Sequence, residues 1–170
     1  PSHDSLTNLL NRRAFDQAAQ QQLAANSREG VAAALLLLDL DHFKRINDTW
    51  GHQAGDRVLA CFARLLEAQL REQDLACRFG GEEFLLLVSN IDRAQIEALT
   101  QRLRSQWQST DVGAGEDSLS ATVSIGYTLI APNEQAPLHT LVERADQALY
   151  RAKENGRNRV EAWDPALSAS

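Results

Sequence analysis

Two adjacent glycines, Gly80 and Gly81, separate two short apolar-containing stretches, Leu75 to Phe79 and Phe84 to Val88. Glycine accepts the positive φ values that tight turns need, so the pair predicts a β-hairpin. Two carboxylates, Glu82 and Glu83, follow the turn at once. Successive strand residues point to opposite faces, so the two acids are expected to do different work. Bare backbone beside acidic side chains suits a phosphate brought in by a metal ion. The same residues would also make a plain hairpin with a solvated acidic rim, and the remaining sequence has to choose between the two.

Val31 to Leu38 is a continuous apolar run. Its alanines and leucines favour helix. The run is short, however, and follows a polar break at Ser27 to Gly30, so it predicts a buried central strand. It ends in Asp39-Leu40-Asp41. Unpaired buried carboxylates are costly, and a bound divalent cation would account for them.

The other elements follow from spacing. Asn11 is placed to cap a first helix with Phe15 and Leu23 on its apolar face. His42 to Trp50 reads as a helical turn and loop, and Gly51 to Asp56 as a break. From Asp56 onward Val58, Leu59, Phe62, Leu65, Leu66 and Leu70 form one stripe, with Asp56 at the helix N-terminus. The helix ends near Arg71 to Asp74. Ile96, Leu99, Leu103 and Trp107 mark another helix, and Ser109 to Asp117 a loop. Leu119 to Ile130 reads as a strand, with Gly126 a bulge or a close approach. Thr140 to Glu143 has capping-box form and opens a helix carrying Leu141, Ala145, Ala148, Leu149 and Ala152 on one face. Asn155-Gly156 stops it, and Arg159 to Trp163 closes as an edge strand. This order predicts an α/β fold, a central sheet with helices packed on it.

Composition narrows the class. The 170 residues are enough for one domain, expected over 1–170. A formal net charge of −6 argues against general nucleic-acid binding. The two cysteines, Cys61 and Cys77, lack metal-ligand spacing and read as reduced thiols of a cytoplasmic domain. No apolar run reaches membrane-spanning length. The stretch begins at Pro1 and contains no methionine, so it is expected to be the C-terminal part of a longer protein, one that could be membrane-anchored elsewhere.

Seven stretches then stand in order: Asp4-Ser5-Leu6-Thr7-Asn8-Leu9-Leu10-Asn11-Arg12-Arg13, Asp39 to Asp48, Gly51-His52-Gln53-Ala54-Gly55-Asp56, Arg78-Phe79-Gly80-Gly81-Glu82-Glu83-Phe84, Val123-Ser124-Ile125-Gly126, Ala145 to Tyr150 and Ala152 to Arg159. Together they resemble a GGDEF-type diguanylate cyclase domain over nearly the full length. The resemblance implies a central five-stranded, mainly antiparallel sheet flanked by helices, similar to adenylyl cyclase catalytic domains and polymerase palms. It implies condensation of two GTP into cyclic di-GMP with release of two pyrophosphates, with magnesium, or manganese in its place, as cofactor. A transient homodimer is expected, because the product is two-fold symmetric and each domain presents one GTP.

By the same resemblance Asp39, the Leu40 carbonyl, Glu82 and Glu83 would hold the metal. Glu82 matches the position proposed as base and metal ligand, and Glu83 the next acid; the division between them stays open. Lys44, Lys153 and Arg157 match cationic positions facing the phosphates. Gly80 and Gly81 would lie against the nucleotide. Asn47 and Asp56 match a guanine-reading pair, with His52 in the same segment. A carboxylate accepts from guanine N1–H and N2 but would meet a lone pair on adenine, so Asp56 argues for GTP over ATP. Arg71-Glu72-Gln73-Asp74 matches an inhibitory product site, with Arg102 as a second contact. Asn8 and Leu10 replace the usual glycine and proline, and Glu82 stands where the family name has Asp. The competing readings are a domain that binds cyclic di-GMP or GTP without turnover, and a cyclase of mixed or adenine products. Retention of both hairpin acids and both glycines argues against the first, Asp56 against the second.

Overall fold

The computed structural model describes residues 1–113 and 117–168. In chain order the elements are α1 (Arg12–Glu29), β1 (Ala33–Leu40), α2 (Phe43–Trp50), α3 (His52–Gln69), β2 (Leu75–Arg78), β3 (Glu83–Ser89), α4 (Arg93–Gln108), β4 (Val123–Ile130), α5 (Leu138–Glu154), β5 (Val160–Ala162) and α6 (Pro165–Ser168). They form a five-stranded sheet in the order β2-β3-β1-β4-β5. All pairings are antiparallel except β4 with β5.

The apolar run becomes the middle strand, and every residue of β1 is buried. Alternation sends Ala34, Leu36, Leu38 and Leu40 to one face, against Val58, Phe62 and Leu66 of α3 and Leu103 and Trp107 of α4. Ala33, Leu35 and Leu37 go to the other, against Phe15 and Ala19 of α1 and Leu141, Ala145 and Leu149 of α5. Each buried leucine is worth about 2 kcal/mol, so double-sided burial overrides the helical preference of the sequence. Phe62 locks its face with edge-on contacts to Phe84 and Trp107, both at 5.0 Å between ring centroids.

Gly126 is a close approach. A Cβ there would stand 2.1 Å from the Leu149 nitrogen and 2.5 Å from the Ala145 oxygen, so the α5 backbone lies directly on β4. This contact carries the end of α5 to the end of the central strand.

Several boundaries differ from expectation. The first helix runs through Ser27 to Glu29, and Gly30 alone ends it, with φ 71° and its N–H bonded to the Asn26 and Ser27 carbonyls. His42 to Trp50 contains a full helix, α2, and Gly51 alone breaks the chain before α3. Gly51 has φ 93°, which suffices for the turn, so α3 begins at His52 and Asp56 lies in its second turn rather than at its N-terminus. Pro137 precedes α5, and Thr140 falls inside its first turn instead of capping it. The capping box is at Asp92 and Gln95 of α4, each side chain taking the other's backbone N–H. Leu119 to Thr122 lies outside β4, because Leu119 is bound to the Asp111 carboxylate and the Val112 N–H. Of the expected loop Ser109 to Asp117, residues 114–116 lie outside the described residues.

Cys61 is partly buried and Cys77 fully so, and both are free thiols. Burial pushes the Cys77 thiol up to about 12, so it is inert at neutral pH. Among the described residues no helix is long and apolar enough to cross a membrane.

Candidate active site

Antiparallel pairing of β1 and β3 sets Asp39 opposite Glu83. Lys153, in the last turn of α5, reaches the same corner, and its Nζ donates to Asp39 Oδ2 at 2.6 Å. The helix gets there because Ala145, Ala148 and Ala152 are small enough to lay it on the sheet, and its carbonyl end favours a cation. Burial holds the Asp39 carboxyl above the usual range, against the pull of Lys153 and Arg157, and the Asp41 charge adds to the rise. Glu83 is also raised, first by burial, then by the Asp39 charge, with Lys153 opposing and Glu82 and Asp146 adding. Two carboxylates in one half-buried corner with one lysine make a site short of positive charge. Hard oxygen donors of this kind fit a divalent cation.

The two hairpin acids are thereby distinguished. Glu83 opens β3 and pairs with Asp39, whereas Glu82 lies just before the strand, half-buried like Glu83, and its carbonyl accepts the Leu40 N–H at 3.2 Å. Among the described residues no three His, Cys, Asp or Glu side chains are gathered closely enough to hold a metal unaided.

The glycine turn is not built on positive φ, which neither Gly80 nor Gly81 has. The Phe79 and Gly80 N–H groups both donate to the Glu83 carbonyl, at 2.7 and 3.2 Å, and this closes the turn. A Cβ on Gly80 would stand 3.0 Å from Glu83 Oε1, and one on Gly81 would meet nothing within 4 Å. Gly80 therefore makes room for the Glu83 carboxylate, and Gly81 leaves its backbone open to solvent. Arg78 straps the turn, donating to the Gly81 carbonyl at 3.1 and 2.9 Å while pairing with Asp4 at 3.4 Å.

The α2–α3 corner carries the next group. Lys44 extends into solvent, 3.8 Å from Asp48. Asn47 Oδ1 is buried and lacks a hydrogen-bond partner among the described residues. It lies against Gly55, where a Cβ would stand only 1.9 Å away. This seats Asn47 beside the residue preceding Asp56; Asp56 and His52 are exposed.

Arg71 and Asp74 form a closed turn between α3 and β2. The almost fully buried Asp74 carboxylate accepts from the Arg71 N–H at 2.9 Å and the Ser89 N–H at 3.3 Å, and Arg71 also donates to the Ser89 carbonyl. Arg102 of α4 bonds Gln69 at 2.7 Å. Arg71, Asp74 and Arg102 line one surface cavity of about 320 Å³.

Asp41 is where the sequence reasoning fell short. The sequence groups it with Asp39 as an acid that a cation would account for, yet Thr122, Ser124 and the Asn158 backbone take up its oxygens. The signal was present in Thr122 and Ser124, two hydroxyls near the start of β4. Arg157 and Asn158 both adopt left-handed backbone, at φ 63° and 48°, which no local pattern announced.

The sequence matches the family described as "Diguanylate cyclase, GGDEF domain" over residues 1–159. It is 44% identical over 158 residues to the diguanylate cyclase DgcP of Pseudomonas aeruginosa, covering 93% of this chain and 23% of DgcP. It is 37% identical over 166 residues to the diguanylate cyclase DosC of Escherichia coli, covering 96% of this chain and 35% of DosC. The crystal structure of the GGDEF domain of DgcB from Caulobacter crescentus in complex with c-di-GMP superposes with a TM-score of 0.88 at 36% identity, covering 95% of each chain. The chain belongs to the GGDEF diguanylate cyclase family, with the palm-like fold of that family. It spans about a quarter to a third of the length of the relatives DgcP and DosC.

Proposed function

We propose that the domain condenses two GTP into cyclic di-GMP, releasing two pyrophosphates, with magnesium as cofactor. The observation that carries this reading is the corner formed by Asp39, Glu83 and Lys153 beside the open Gly81 backbone. Phosphoryl transfer asks for charge neutralisation and positioning more than for covalent chemistry by the protein. Asp39 and Glu83 would hold the ion, with the Leu40 carbonyl, Glu82 and substrate oxygens as further donors. When bound there, such an ion would supply neutralisation of phosphate charge and acidification of the attacking 3′-hydroxyl.

The chain's own groups supply the remainder. Lys153 and Arg157 bring positive charge to the leaving pyrophosphate. Lys44 is long and unrestrained enough to join them. Asn47 and Asp56 read the guanine edge, with His52 alongside. Each domain holds one GTP, so the reaction takes place between two domains facing each other. Arg71, Asp74 and Arg102 form a product-binding cavity for feedback inhibition; Arg71 keeps guanidinium donors for a phosphodiester.

The test is incubation of the domain at high concentration with GTP and magnesium, followed by chromatography of the nucleotides. Cyclic di-GMP is expected from the wild type and not from Glu83→Ala. Retained binding of cyclic di-GMP without product formation, even when a coiled-coil dimer is fused to the N-terminus, would establish a receptor instead.

A further inference from the structure

We infer that Asp41 is a positioning residue that holds the segment after α5 in the conformation that presents Arg157 to the active-site corner. The inference rests on the proposed function for the role of Arg157, and on geometry alone for the clamp. Asp41 is 4% exposed, at the end of the central strand. Its Oδ2 accepts from Thr122 Oγ1 at 2.7 Å and from the Asn158 N–H at 3.0 Å; its Oδ1 accepts from Ser124 Oγ at 2.7 Å. Its own N–H donates to the Thr122 carbonyl at 2.9 Å. Three donors satisfy this buried carboxylate without a cation.

What it holds needs holding. Arg157 and Asn158 are consecutive non-glycine residues at φ 63° and 48°. Left-handed backbone costs a residue such as Arg157 about 1 kcal/mol or more, whereas asparagine tolerates it, so the Arg157 conformation persists only where the surroundings impose it. The imposing contacts come from several elements. Asp41 takes the Asn158 N–H, and Arg104 of α4 donates to Asn158 Oδ1 at 3.0 Å. The Arg157 N–H caps α5 on the Ala152 carbonyl at 2.9 Å, and the Arg159 carbonyl joins Ile125 of β4 at 2.9 Å. The Ala152 bond keeps Arg157 within a turn of Lys153, whose Nζ binds Asp39 at 2.6 Å, and the Arg157 charge opposes the rise that burial imposes on the Asp39 carboxyl. The second acid of Asp39-Leu40-Asp41 thus fixes a phosphate-facing cation rather than holding the metal.

The experiment compares D41A, D41N, R157A and D41A/R157A. Asparagine can put its amide oxygen where Oδ2 lies, keeping the Thr122 and Asn158 bonds, and donate its NH2 to Ser124 Oγ. A clamp therefore survives D41N and a metal ligand does not. D41A is expected to raise the KM for GTP about tenfold with a smaller fall in kcat, as loss of a charge-assisted hydrogen bond does. D41N is expected to recover most of that, and D41A/R157A to have the KM of R157A alone. D41N as damaging as D41A and rescued by excess magnesium, or KM effects that multiply in the double variant, would overturn the inference. Hydrogen exchange of peptides covering residues 156–160, without nucleotide or metal, gives a second readout: faster in D41A, near wild type in D41N. Unchanged exchange in D41A would refute the clamp outright. A wild type that makes no cyclic di-GMP would defeat the proposed function, and the exchange experiment would still decide the clamp.

Discussion

Gly55 shows how one missing methyl shapes the site. Its Cα faces the Asn47 side chain, and a Cβ would stand 1.9 Å from Asn47 Oδ1 and 3.2 Å from the Phe43 ring. A helix interior tolerates alanine better than glycine, so Gly55→Ala should favour α3 by up to about 1 kcal/mol if space allowed it. Space does not allow it, and Asn47 must leave its seat. Under the proposed role of Asn47 in reading guanine, Gly55→Ala is expected to raise the KM for GTP about tenfold with a modest change in thermal midpoint. Steady-state kinetics beside a melting curve checks this; an unchanged KM would remove Asn47 from the recognition set. The orphaned Oδ1 is the physical reason Asn47 stands out, since a buried acceptor without a donor costs free energy until something supplies one.

At the scale of elements, the decisive contact is α5 on β4. All three close neighbours of a Cβ on Gly126, the Leu149 nitrogen, the Ala145 oxygen and the Ala148 carbonyl carbon, are main-chain atoms of α5, which cannot swing aside as a side chain can. Gly126→Ala is expected to cost about 2 kcal/mol or more in urea unfolding. It should also reduce turnover, because tilting α5 moves Lys153 away from Asp39. A variant of unchanged stability would show that the helix can ride outward freely. The same contact explains why Ala145, Ala148 and Ala152 recur on the packed face: bulkier residues would hold α5 off the sheet.

At the scale of the molecule, the segment before α1 is bound to the β2–β3 hairpin. Asp4 pairs with Arg78 at 3.4 Å and accepts from the Thr7 amide at 2.9 Å and hydroxyl at 2.7 Å. Burial pushes the Asp4 carboxyl up, but those hydrogen bonds and the Arg78 charge outweigh it and leave it below its ordinary 3.8. A depressed folded value means that the stabilisation is complete above the unfolded value and lost as pH falls through the folded one. Asp4→Ala is therefore expected to lose about 1 kcal/mol at neutral pH, with the gap to wild type closing in acid below pH 3.8. Urea titrations at several pH values test it; a gap independent of pH would assign the loss to packing. Beyond the single domain, the proposed reaction, with one GTP per domain and a two-fold symmetric product, requires an encounter between two domains. Specific activity should rise with protein concentration and level off once a dimeriser is fused to the N-terminus. A specific activity independent of dilution would mean that one domain completes the reaction.

The class of fold and the family could be read from the chain alone because they rest on local facts. Hydrophobic period, the glycine pair and the order of short motifs survive in one dimension. So did Gly126, since a glycine inside a strand leaves few explanations. The helices start earlier than Asp56 and Thr140 suggest, because caps depend on which residue the backbone actually turns at, and Gly51 and Pro137 turn it earlier. The partners of each acid belonged to the folded molecule. Asp39 lies near the end of the central strand and Asp41 stands two positions on, just past β1, yet one meets Glu83 and Lys153 while the other meets Thr122, Ser124 and Asn158. Glu82 and Glu83 are adjacent, yet strand pairing turns only Glu83 to Asp39. Chemical type is a property of the residue, whereas charge balance comes from neighbours brought from as far as Lys153, and those are assigned only when the sheet closes and α5 settles on it.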